Sequence, residues 1–335
     1  MQFQVPIDIK PFQPAIQYTH RLLLMGSCFT EHIGNYLQDV KFNLLQNPNG
    51  ILFDPISVCN SLISYIENKQ YGPEDIFCFN DGWHSWQHHS RYSGITAEEC
   101  LQSINQSQLA AHLFLKQTDW LIITLGSSFV YKFSKEMPAH LQVSSKGHAA
   151  NCHKAPAQFF NKYLLSIEET ISALDNTIHR LRQYNPDVKI VFTISPVRHI
   201  RDGVVQNNRS KARLLEAVHH LVAKFSGLYY FPAYELVIDV LRDYRFYDVD
   251  MVHPNYAATT FVLEHFSNAC MSEDSRKLME EIRKVVIAQK HKPFNPGSEQ
   301  HKMFLNSFLQ KTKHLQEQHP YLDFRNELSY FNAAS

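Results

Sequence analysis

A serine and an Asp-His pair, far apart in this 335-residue chain, together have the chemistry to activate a hydroxyl group for acyl transfer. Ser27 follows the apolar run 22–25 and a glycine, and a helical pattern begins directly after it. Asp250 precedes His253 by three residues, just before a second helical pattern. At this spacing the carboxylate can reach Nδ1 of the imidazole while Nε2 faces outward, as a general base requires. The residues therefore favour a serine-dependent hydrolase.

Each of these residues also has a simpler interpretation. Serine is a preferred helix N-cap, and Ser27 stands where such a cap is expected. Cys28 is a rival nucleophile of higher intrinsic reactivity, although its side chain should point elsewhere, one residue further into the helix. Asp250 and His253 can equally be a capping carboxylate and an exposed imidazole before a helix, and Asp248 competes with Asp250 as the acid.

Strand and helix patterns alternate along the chain, which predicts an α/β fold with a mostly parallel sheet. Near-continuous apolar runs such as DWLIITL suit strands that are covered on both faces. The predicted strands are 21–25, 119–125, 188–194 and 228–231, and the predicted helices are 28–37, 159–184, 211–225 and 256–268.

Small or polar residues directly follow three of these strands. Ser27, Gly126 and Ser195 each stand at the carboxyl end of a predicted strand. Ligands of open α/β sheets bind beyond these ends. We therefore expect the three residues to converge on one rim of the sheet.

Two parts of the chain fit the alternation poorly. Residues 40–118 contain a helical pattern at 57–67 and an aromatic, histidine-rich stretch, and they are predicted to form an insertion that walls the site. After residue 290 the chain becomes polar, and Ser298 is predicted to cap a helix that ends near 316. The predicted organisation is one hydrolase-like domain over 1–290 and a C-terminal helical appendage over 291–335.

The bulk composition excludes some partners. Basic and acidic residues both number 32, so net charge gives no reason to expect nucleic acid or an anionic membrane. No run of eighteen apolar residues predicts a membrane span, and the N-terminal sequence does not resemble a secretory signal. The six cysteines are scattered without a CxxC pair, which favours reduced thiols. A cytoplasmic location is the resulting expectation.

The segment GSCFT at 26–30 resembles the signature of the GSCFA family, with threonine in place of the final alanine. The resemblance covers roughly residues 20–270. It continues through NPNGILFDP, LGSSFVY, NCHK, SPVR and DVDMVHPN, and this ordered set is far more specific than any one segment. The family is grouped with the SGNH/GDSL hydrolases, which implies a flavodoxin-like three-layer sandwich and a Ser-His-Asp triad.

The resemblance assigns roles by position. Ser27 would be the nucleophile, His253 the base and Asp250 its partner, and the amides of Ser27 and Gly50 would bind the oxyanion. The third motif of the superfamily normally reads Gly-x-Asn-Asp, whereas this chain has Gly126-Ser127-Ser128. Ser127, or the region around Gly126, is one candidate for the second oxyanion donor. Asn151 is the other, if its loop moves in.

Further candidates surround these motifs. Asn151 and His153 are predicted substrate contacts, with a capped loop as the alternative. Trp83, together with Trp86, is predicted to stack on a sugar ring, with core packing as the alternative. His84, His88 and His89 lack the framing ligands of a zinc site, so no metal and no cofactor are predicted. Arg198, His199 and Arg201 form either a solvated basic face or an anchor for a carboxylate or phosphate.

These features predict an ester hydrolase that acts on a small or carbohydrate-linked O-acyl ester. An O-acyltransferase is the closest chemical alternative, because it differs only in admitting an alcohol acceptor instead of water. A binding or scaffold protein that has kept the fold without turnover belongs to a different class, and the Gly-Ser-Ser motif favours it.

Overall fold

The computed structural model describes residues 5–143 and 147–333, which form ten strands. In chain order the strands are β1 (Leu22–Gly26), β2 (Leu44–Gln46), β3 (Phe77–Phe79), β4 (Gly82–His84), β5 (Trp120–Leu125), β6 (Phe129–Phe133), β7 (His148–Ala149), β8 (Phe160–Leu164), β9 (Lys189–Ile194) and β10 (Leu228–Phe231).

Helices and short 3₁₀ turns connect these strands. In chain order the helices are α1 (Cys28–Asp39), α2 (Pro55–Glu67), α3 (Ala97–Leu115), α4 (Ile167–Tyr184), α5 (Val204–Lys224), α6 (Ala233–Glu235, which continues as a π-helix over Leu236–Leu241), α7 (Tyr256–Cys270), α8 (Glu273–Lys290), α9 (Glu299–Gln318) and α10 (Arg325–Ala333).

The central sheet has the order β2-β1-β5-β9-β10, and every neighbouring pair in it is parallel. Taken along the chain, this is the 2-1-3-4-5 order of flavodoxin-like folds. The predicted fold class is therefore confirmed. In such sheets the crevice for ligands opens between the first and third strands, here β1 and β5, where the winding direction reverses. Gly26 pairs with Thr124 at that point.

Helices cover both faces of the sheet, which explains why its strands are apolar without alternation. All five residues of β1 and all six of β5 are buried. Residues of α1, α7 and α8 pack on one face with Leu22 and Leu24, while residues of α2, α4 and α5 pack on the other with Leu23 and Met25. The result is a three-layer αβα sandwich.

The helix predicted over 159–184 is partly wrong. Residues 160–164 form β8, which pairs antiparallel with β6, and the helix α4 begins only after Ser166. The Oγ of Ser166 accepts the amide of Glu169 at 3.1 Å, and the Glu169 carboxylate accepts the amide of Ser166 at 2.7 Å. This reciprocal cap fixes the start of the helix. The apolar spacing of 160–164 fitted either element.

Part of the predicted insertion belongs to the sandwich itself. β2 pairs with β1 at the edge of the central sheet, and α2 packs in the same layer as α4. The hairpin β3–β4 lies outside the sheet, as does the three-stranded sheet β7-β6-β8. Trp86 is buried in the small core between them, where its ring stacks on Phe77 at 3.9 Å, so core packing is its observed role.

The C-terminal helices complete the layer over α1. Phe324 and Phe331 are buried there, and Lys41 forms an ion pair with Glu327 at 2.6 Å. The predicted cap at Ser298 is confirmed, since its Oγ accepts the amide of His301 at 3.2 Å. In the described part of the chain, no helix is long and apolar enough to cross a membrane. Residues 1–4, 144–146 and 334–335 of the two predicted domains lie outside the described residues.

Candidate active site

The turn from β1 into α1 requires glycine at position 26. Its φ is +135°, and a Cβ there would lie 2.1 Å from the carbonyl oxygen of Thr124 on the neighbouring strand. The amide of Gly26 donates to Oδ1 of Asn47 at 2.8 Å, and the amide of Ser27 donates to the Thr124 carbonyl at 3.2 Å. Side-chain and strand contacts thus hold the position of Ser27 from both sides.

Ser27 occupies the N-cap position of α1 without capping it through its side chain. Its carbonyl accepts the amide of Thr30 at 2.9 Å, while its Oγ has no hydrogen-bond partner among the described residues. The residue is only 2% exposed. A buried hydroxyl without a partner is unfavourable in a purely structural role. The side-chain cap is therefore ruled out as the reason for this serine.

Asp250 and His253 form a hydrogen-bonded pair on the loop before α7. Nδ1 of His253 lies 2.6 Å from Oδ2 of Asp250, and Oδ1 of the same carboxylate accepts the amides of Val252 at 2.9 Å and His253 at 3.0 Å. The hydrogen bond from His253, together with these amides, lowers the pKa of Asp250 to about 2. The aspartate is therefore ionised at neutral pH.

The backbone fixes this loop to its surroundings. The amide of Asp248 donates to the carbonyl of His253 at 2.8 Å, and the amide of Arg198 donates to the carbonyl of Val252 at 3.1 Å. The second bond ties the loop to the segment that follows β9. Of the two candidate acids, Asp250 is the one whose carboxylate contacts the imidazole among the residues described.

The serine and the Asp-His pair are not hydrogen-bonded to each other in this structure. The Oγ of Ser27 is buried and lacks a partner within the described residues, whereas the side chain of His253 is 41% exposed. The arrangement holds an oriented imidazole and a free hydroxyl as separate parts. The complete triad stays a prediction.

The proposed oxyanion donors are both engaged with backbone carbonyls. Gly50 has a φ of +83°, and its amide donates to the carbonyl of Asn47 at 2.7 Å. A Cβ at this position would lie 2.1 Å from Cβ of His89. The amide of Ser27 donates to Thr124, as described above. Their role in binding an oxyanion remains a prediction.

Ser127 is held by α5. Its Oγ accepts the amide of Phe129 at 3.1 Å and lies 3.2 Å from Oγ of Ser210. The neighbouring Ser128 donates from its amide to the same Ser210 Oγ at 2.7 Å. The hydroxyl of Ser127 therefore stabilises the segment after β5, and its role as an oxyanion donor is not tested by these contacts.

Trp83 lies in β4, and Asn151 and His153 lie in the loop that follows β7. The Oδ1 of Asn151 accepts the amide of His153 at 2.9 Å, and Nε2 of His153 lies 2.8 Å from the carbonyl of Ser85. Burial lowers the pKa of His153 to about 4. Trp83 is half-buried and packs against the small cluster of Tyr71, Ile76, Cys100 and Ile104. These residues have no hydrogen bond to Ser27 or His253 within the described ranges, and their contact with a substrate stays a prediction.

The histidine-rich stretch is built into the fold. His88 is 1% exposed, its Nδ1 lies 3.0 Å from the Oγ of Ser85, and burial lowers its pKa to about 3. His89 packs on Gly50 and so reaches the edge of the candidate site. Among the residues that the structure describes, no group of three or more His, Cys, Asp or Glu side chains is placed to hold a metal ion.

Two buried residues near the site are not among the residues that the sequence predicts for it. Asn47, which accepts the amide of Gly26, stands in the NPNG segment beside the predicted Gly50. Lys211 is 1% exposed, and its Nζ donates to the carbonyls of Gly126 and Ser195 at 2.6 Å each. Lys211 could be recognised in the sequence because helical spacing places it among the core residues of α5, where a lysine is unexpected.

One cavity of about 450 Å³ lies between α1, α7 and α8, away from Ser27. His32, Glu264 and Arg283 line it together with apolar side chains, whereas Ser27, Asp250 and His253 do not.

A parallel sheet in flavodoxin-like order, covered by helices on both faces, defines an α/β protein of the three-layer sandwich class. Residues 21–266 match the sequence model of the GSCFA family, and residues 282–334 match that of the GSCFA domain protein, C-terminal domain. The chain therefore belongs to the GSCFA family.

No curated protein matches the chain. One solved structure with a similar arrangement is an acetyl xylan esterase, Est2A, from the rumen bacterium Butyrivibrio proteoclasticus. The two share 12% sequence identity over 75% of this chain and 64% of the esterase, with a TM-score of 0.35. The chain thus spans less than two thirds of that esterase, and a likeness of this size carries no argument about activity.

Proposed function

We propose that this chain is a serine-dependent ester hydrolase of SGNH type, with Ser27 as nucleophile, His253 as general base and Asp250 as the residue that orients the imidazole. The observation that carries the proposal is the buried Oγ of Ser27, which lacks a hydrogen-bond partner in the described residues at the β1–β5 switch point. Ligands of such sheets bind beyond the strand ends, and the contact between a nucleophile and its base is often loose before a substrate binds.

Ser27, His253 and Asp250 together suffice for each proton transfer of the proposed reaction. Nε2 of His253 accepts the proton of the Ser27 hydroxyl while Oγ bonds to the acyl carbon of the ester. The imidazolium then gives this proton to the departing alcohol. In the second half the imidazole takes a proton from water, whose oxygen bonds to the acyl carbon. The bond between the acyl carbon and Oγ then breaks, the imidazolium returns the proton to Oγ of Ser27, and the carboxylic acid leaves. Asp250 stays ionised throughout and stabilises the imidazolium, in keeping with its lowered pKa.

Substrate binding has to bring two elements together. The exposed imidazole of His253 must approach the hydroxyl of Ser27. The amides of Ser27 and Gly50 must exchange their carbonyl partners for the oxyanion if they are its donors. The N-terminus of α1 adds a favourable field for negative charge beside Ser27. In this proposal the structure without substrate is a resting form, and substrate binding assembles the triad and the oxyanion hole.

We propose a small or carbohydrate-linked O-acyl ester as the substrate. Trp83, Asn151 and His153 are the proposed contacts on the side of the outer sheets. An O-acyltransferase would use the same acyl-serine and pass the acyl group to a second alcohol instead of water.

A non-catalytic binding protein is the competing function. The absence of a hydrogen bond between Ser27 and the Asp-His pair in the described structure favours it. A protein of this kind would bind its ligand at the strand ends without forming an acyl-serine, so turnover separates the two functions.

The test is hydrolysis of p-nitrophenyl acetate by the full chain, the Ser27→Ala variant and a Ser307→Ala control. Ser307 is an exposed serine on α9. The proposal expects turnover by the wild type and the control and its loss in Ser27→Ala, by at least a hundredfold. Rates no higher than the uncatalysed rate in all three proteins would favour the binding protein, and equal catalysed rates in all three would contradict Ser27 as the nucleophile.

A further inference from the structure

Lys211 stands on the buried face of α5. That face consists of Asn207, Ser210, Lys211, Leu214, Ala217, Val218 and Leu221. Lysine is almost never fully buried unless it is paired. Yet no carboxylate in the described part of the chain forms an ion pair with Lys211. A purely structural lysine would gain little here, since burying an ammonium group is expensive.

The ammonium group links the ends of two neighbouring strands. Its Nζ donates to the carbonyl of Gly126, directly after β5, and to the carbonyl of Ser195, directly after β9. The amide of Ser195 in turn donates to the carbonyl of Leu125 at 2.8 Å. β5 is also the strand that pairs with β1, which ends at Ser27. Lys211 therefore lies one strand away from the proposed nucleophile.

The preceding residue holds the same segment. The Oγ of Ser210 accepts the amide of Ser128 at 2.7 Å, and the carbonyl of Ser210 accepts the Oγ of Ser128 at 3.1 Å. Two consecutive residues of α5 thus fix Gly126-Ser127-Ser128, the segment where the superfamily pattern has an asparagine. The hydrogen bonds of Ser210 and Lys211, here called the clamp, therefore hold the same segment that departs from the Gly-x-Asn-Asp pattern.

The groups facing Lys211 come from three elements. Cys28 on α1 interacts with it electrostatically, His199 does so from the segment after β9, and the ring of Tyr234 on α6 lies 5.9 Å from Nζ. Burial raises the pKa values of Cys28 and Tyr234 and lowers that of His199 to about 3. Burial also lowers the pKa of Lys211 to about 7. Lys211 is therefore the member of this set that changes charge near neutral pH.

We propose that Lys211 is a positioning residue of the Ser27 site, which fixes the ends of β5 and β9 and supplies a buried positive charge beside Cys28 that stabilises the negative charge formed in acyl transfer. This inference rests on the proposed function. Preorganised charges and dipoles in a site shielded from water stabilise developing negative charge far more than they would in water.

The clamp and the charge respond differently to pH. A neutral amine keeps two N–H groups, enough for the two carbonyls, so a clamp alone survives deprotonation. The electrostatic contribution is lost with the proton. Reactivity of Ser27 that declines above neutral pH therefore reports the charge and not the clamp.

The experiment follows fluorophosphonate labelling of Ser27 by intact mass between pH 6 and 9.5. It compares the wild type with Lys211→Met, Lys211→Arg and the control Lys224→Met, which removes an ion-paired surface lysine of the same helix. We expect the wild-type labelling rate to decline above neutral pH. We expect Lys211→Met to react about a hundredfold more slowly at pH 7 and without that decline.

The arginine variant keeps its charge at every pH tested, so its labelling should persist at pH 9. The control should follow the wild-type profile. If Lys211→Met fails to fold by circular dichroism, the comparison of Lys211→Arg with the wild type decides the matter.

Each remaining outcome overturns a distinct statement. A wild-type profile without an alkaline decline, or the same decline in a Lys211 variant, overturns the charge contributed by Lys211. Labelling of Lys211→Met at the wild-type rate at pH 7 overturns its positioning role. Both results leave the proposed function standing. A wild type whose Ser27 is not labelled at any pH overturns the proposed function, and the role of Lys211 with it.

Discussion

The imidazole of His253 is oriented by Asp250, whose Oδ2 lies 2.6 Å from Nδ1 of the ring while Oδ1 accepts the backbone amide of His253 at 3.0 Å. One carboxylate thus fixes both the ring and its own stretch of backbone. The remaining ring nitrogen, Nε2, is left for proton transfer. This geometry is what a general base needs before its substrate arrives.

Replacing Asp250 with asparagine should preserve the fold and lower ester hydrolysis. The amide of asparagine cannot both accept from Nδ1 and stabilise an imidazolium, and in the well-studied triad this change costs about ten-thousandfold in kcat. We expect a loss of roughly a hundred- to ten-thousandfold in kcat/KM with p-nitrophenyl acetate. Circular dichroism checks that the fold is intact.

Asp248→Asn is the matched control, because Asp248 contributes its amide, and no described carboxylate contact, to His253. Its activity should stay within about threefold of the wild type, as expected of a surface substitution. If Asp248→Asn loses ester hydrolysis while Asp250→Asn remains active, Asp248 and not Asp250 is the acid of the triad. Two active variants beside an inactive Ser27→Ala would leave a Ser-His dyad.

Gly26→Ala should destabilise the protein strongly. The added Cβ would meet the Thr124 carbonyl at 2.1 Å, and a φ of +135° is strained for any other residue. We expect a loss of about 3 kcal/mol or more in the free energy of unfolding, measured by urea denaturation. The control Gly297→Ala adds its Cβ to open space. Equal stability of the two variants would show that β1 and β5 are not packed as described.

Asp54→Asn should stabilise the protein at neutral and alkaline pH. Asp54 caps α2 by accepting the amide of Ser57 at 2.9 Å, and burial raises its pKa to about 6. A carboxyl group with a raised pKa binds more protons in the folded state, so stability falls as the pH rises from about 4 to about 6. Asparagine retains the hydrogen-bond acceptor and has no charged form whose burial would cost free energy.

Urea denaturation at pH 4 and pH 8 measures the effect. The variant and the wild type should unfold at similar urea concentrations at pH 4, and the variant at a higher one at pH 8. Asp54→Ala, which removes the cap, should lose about 1 kcal/mol at pH 4 relative to the asparagine variant. A wild type more stable than Asp54→Asn at pH 8 would contradict the raised pKa.

Much of the sheet followed from hydrophobic pattern alone. The runs at β1, β5, β9 and β10 are apolar on both faces, and only a strand covered by two helical layers accounts for that. The run at 160–164 was ambiguous because five residues satisfy either period, and its strand depends on pairing with β6, which is not encoded locally. The three-residue strand β2 was too short to show a pattern.

The site residues likewise differ in whether their contacts are local, and the local contacts are the predictable ones. Asp250 and His253 are three residues apart, so their contact is local and was predictable from spacing. Lys211 and the strand ends that it joins are separated by 85 and 16 residues. Such a contact arises only when α5 packs over the sheet. The engagement of the Gly50 amide with Asn47 is local, but it depends on a backbone conformation that sequence does not specify.

The most direct test of the central claim is covalent labelling with a fluorophosphonate, located by peptide mapping. We predict one adduct per chain, on Ser27, in the wild type and in Cys28→Ala, and none in Ser27→Ala. An adduct on Ser127 or Ser195, or labelling that persists in Ser27→Ala, would contradict Ser27 as the nucleophile.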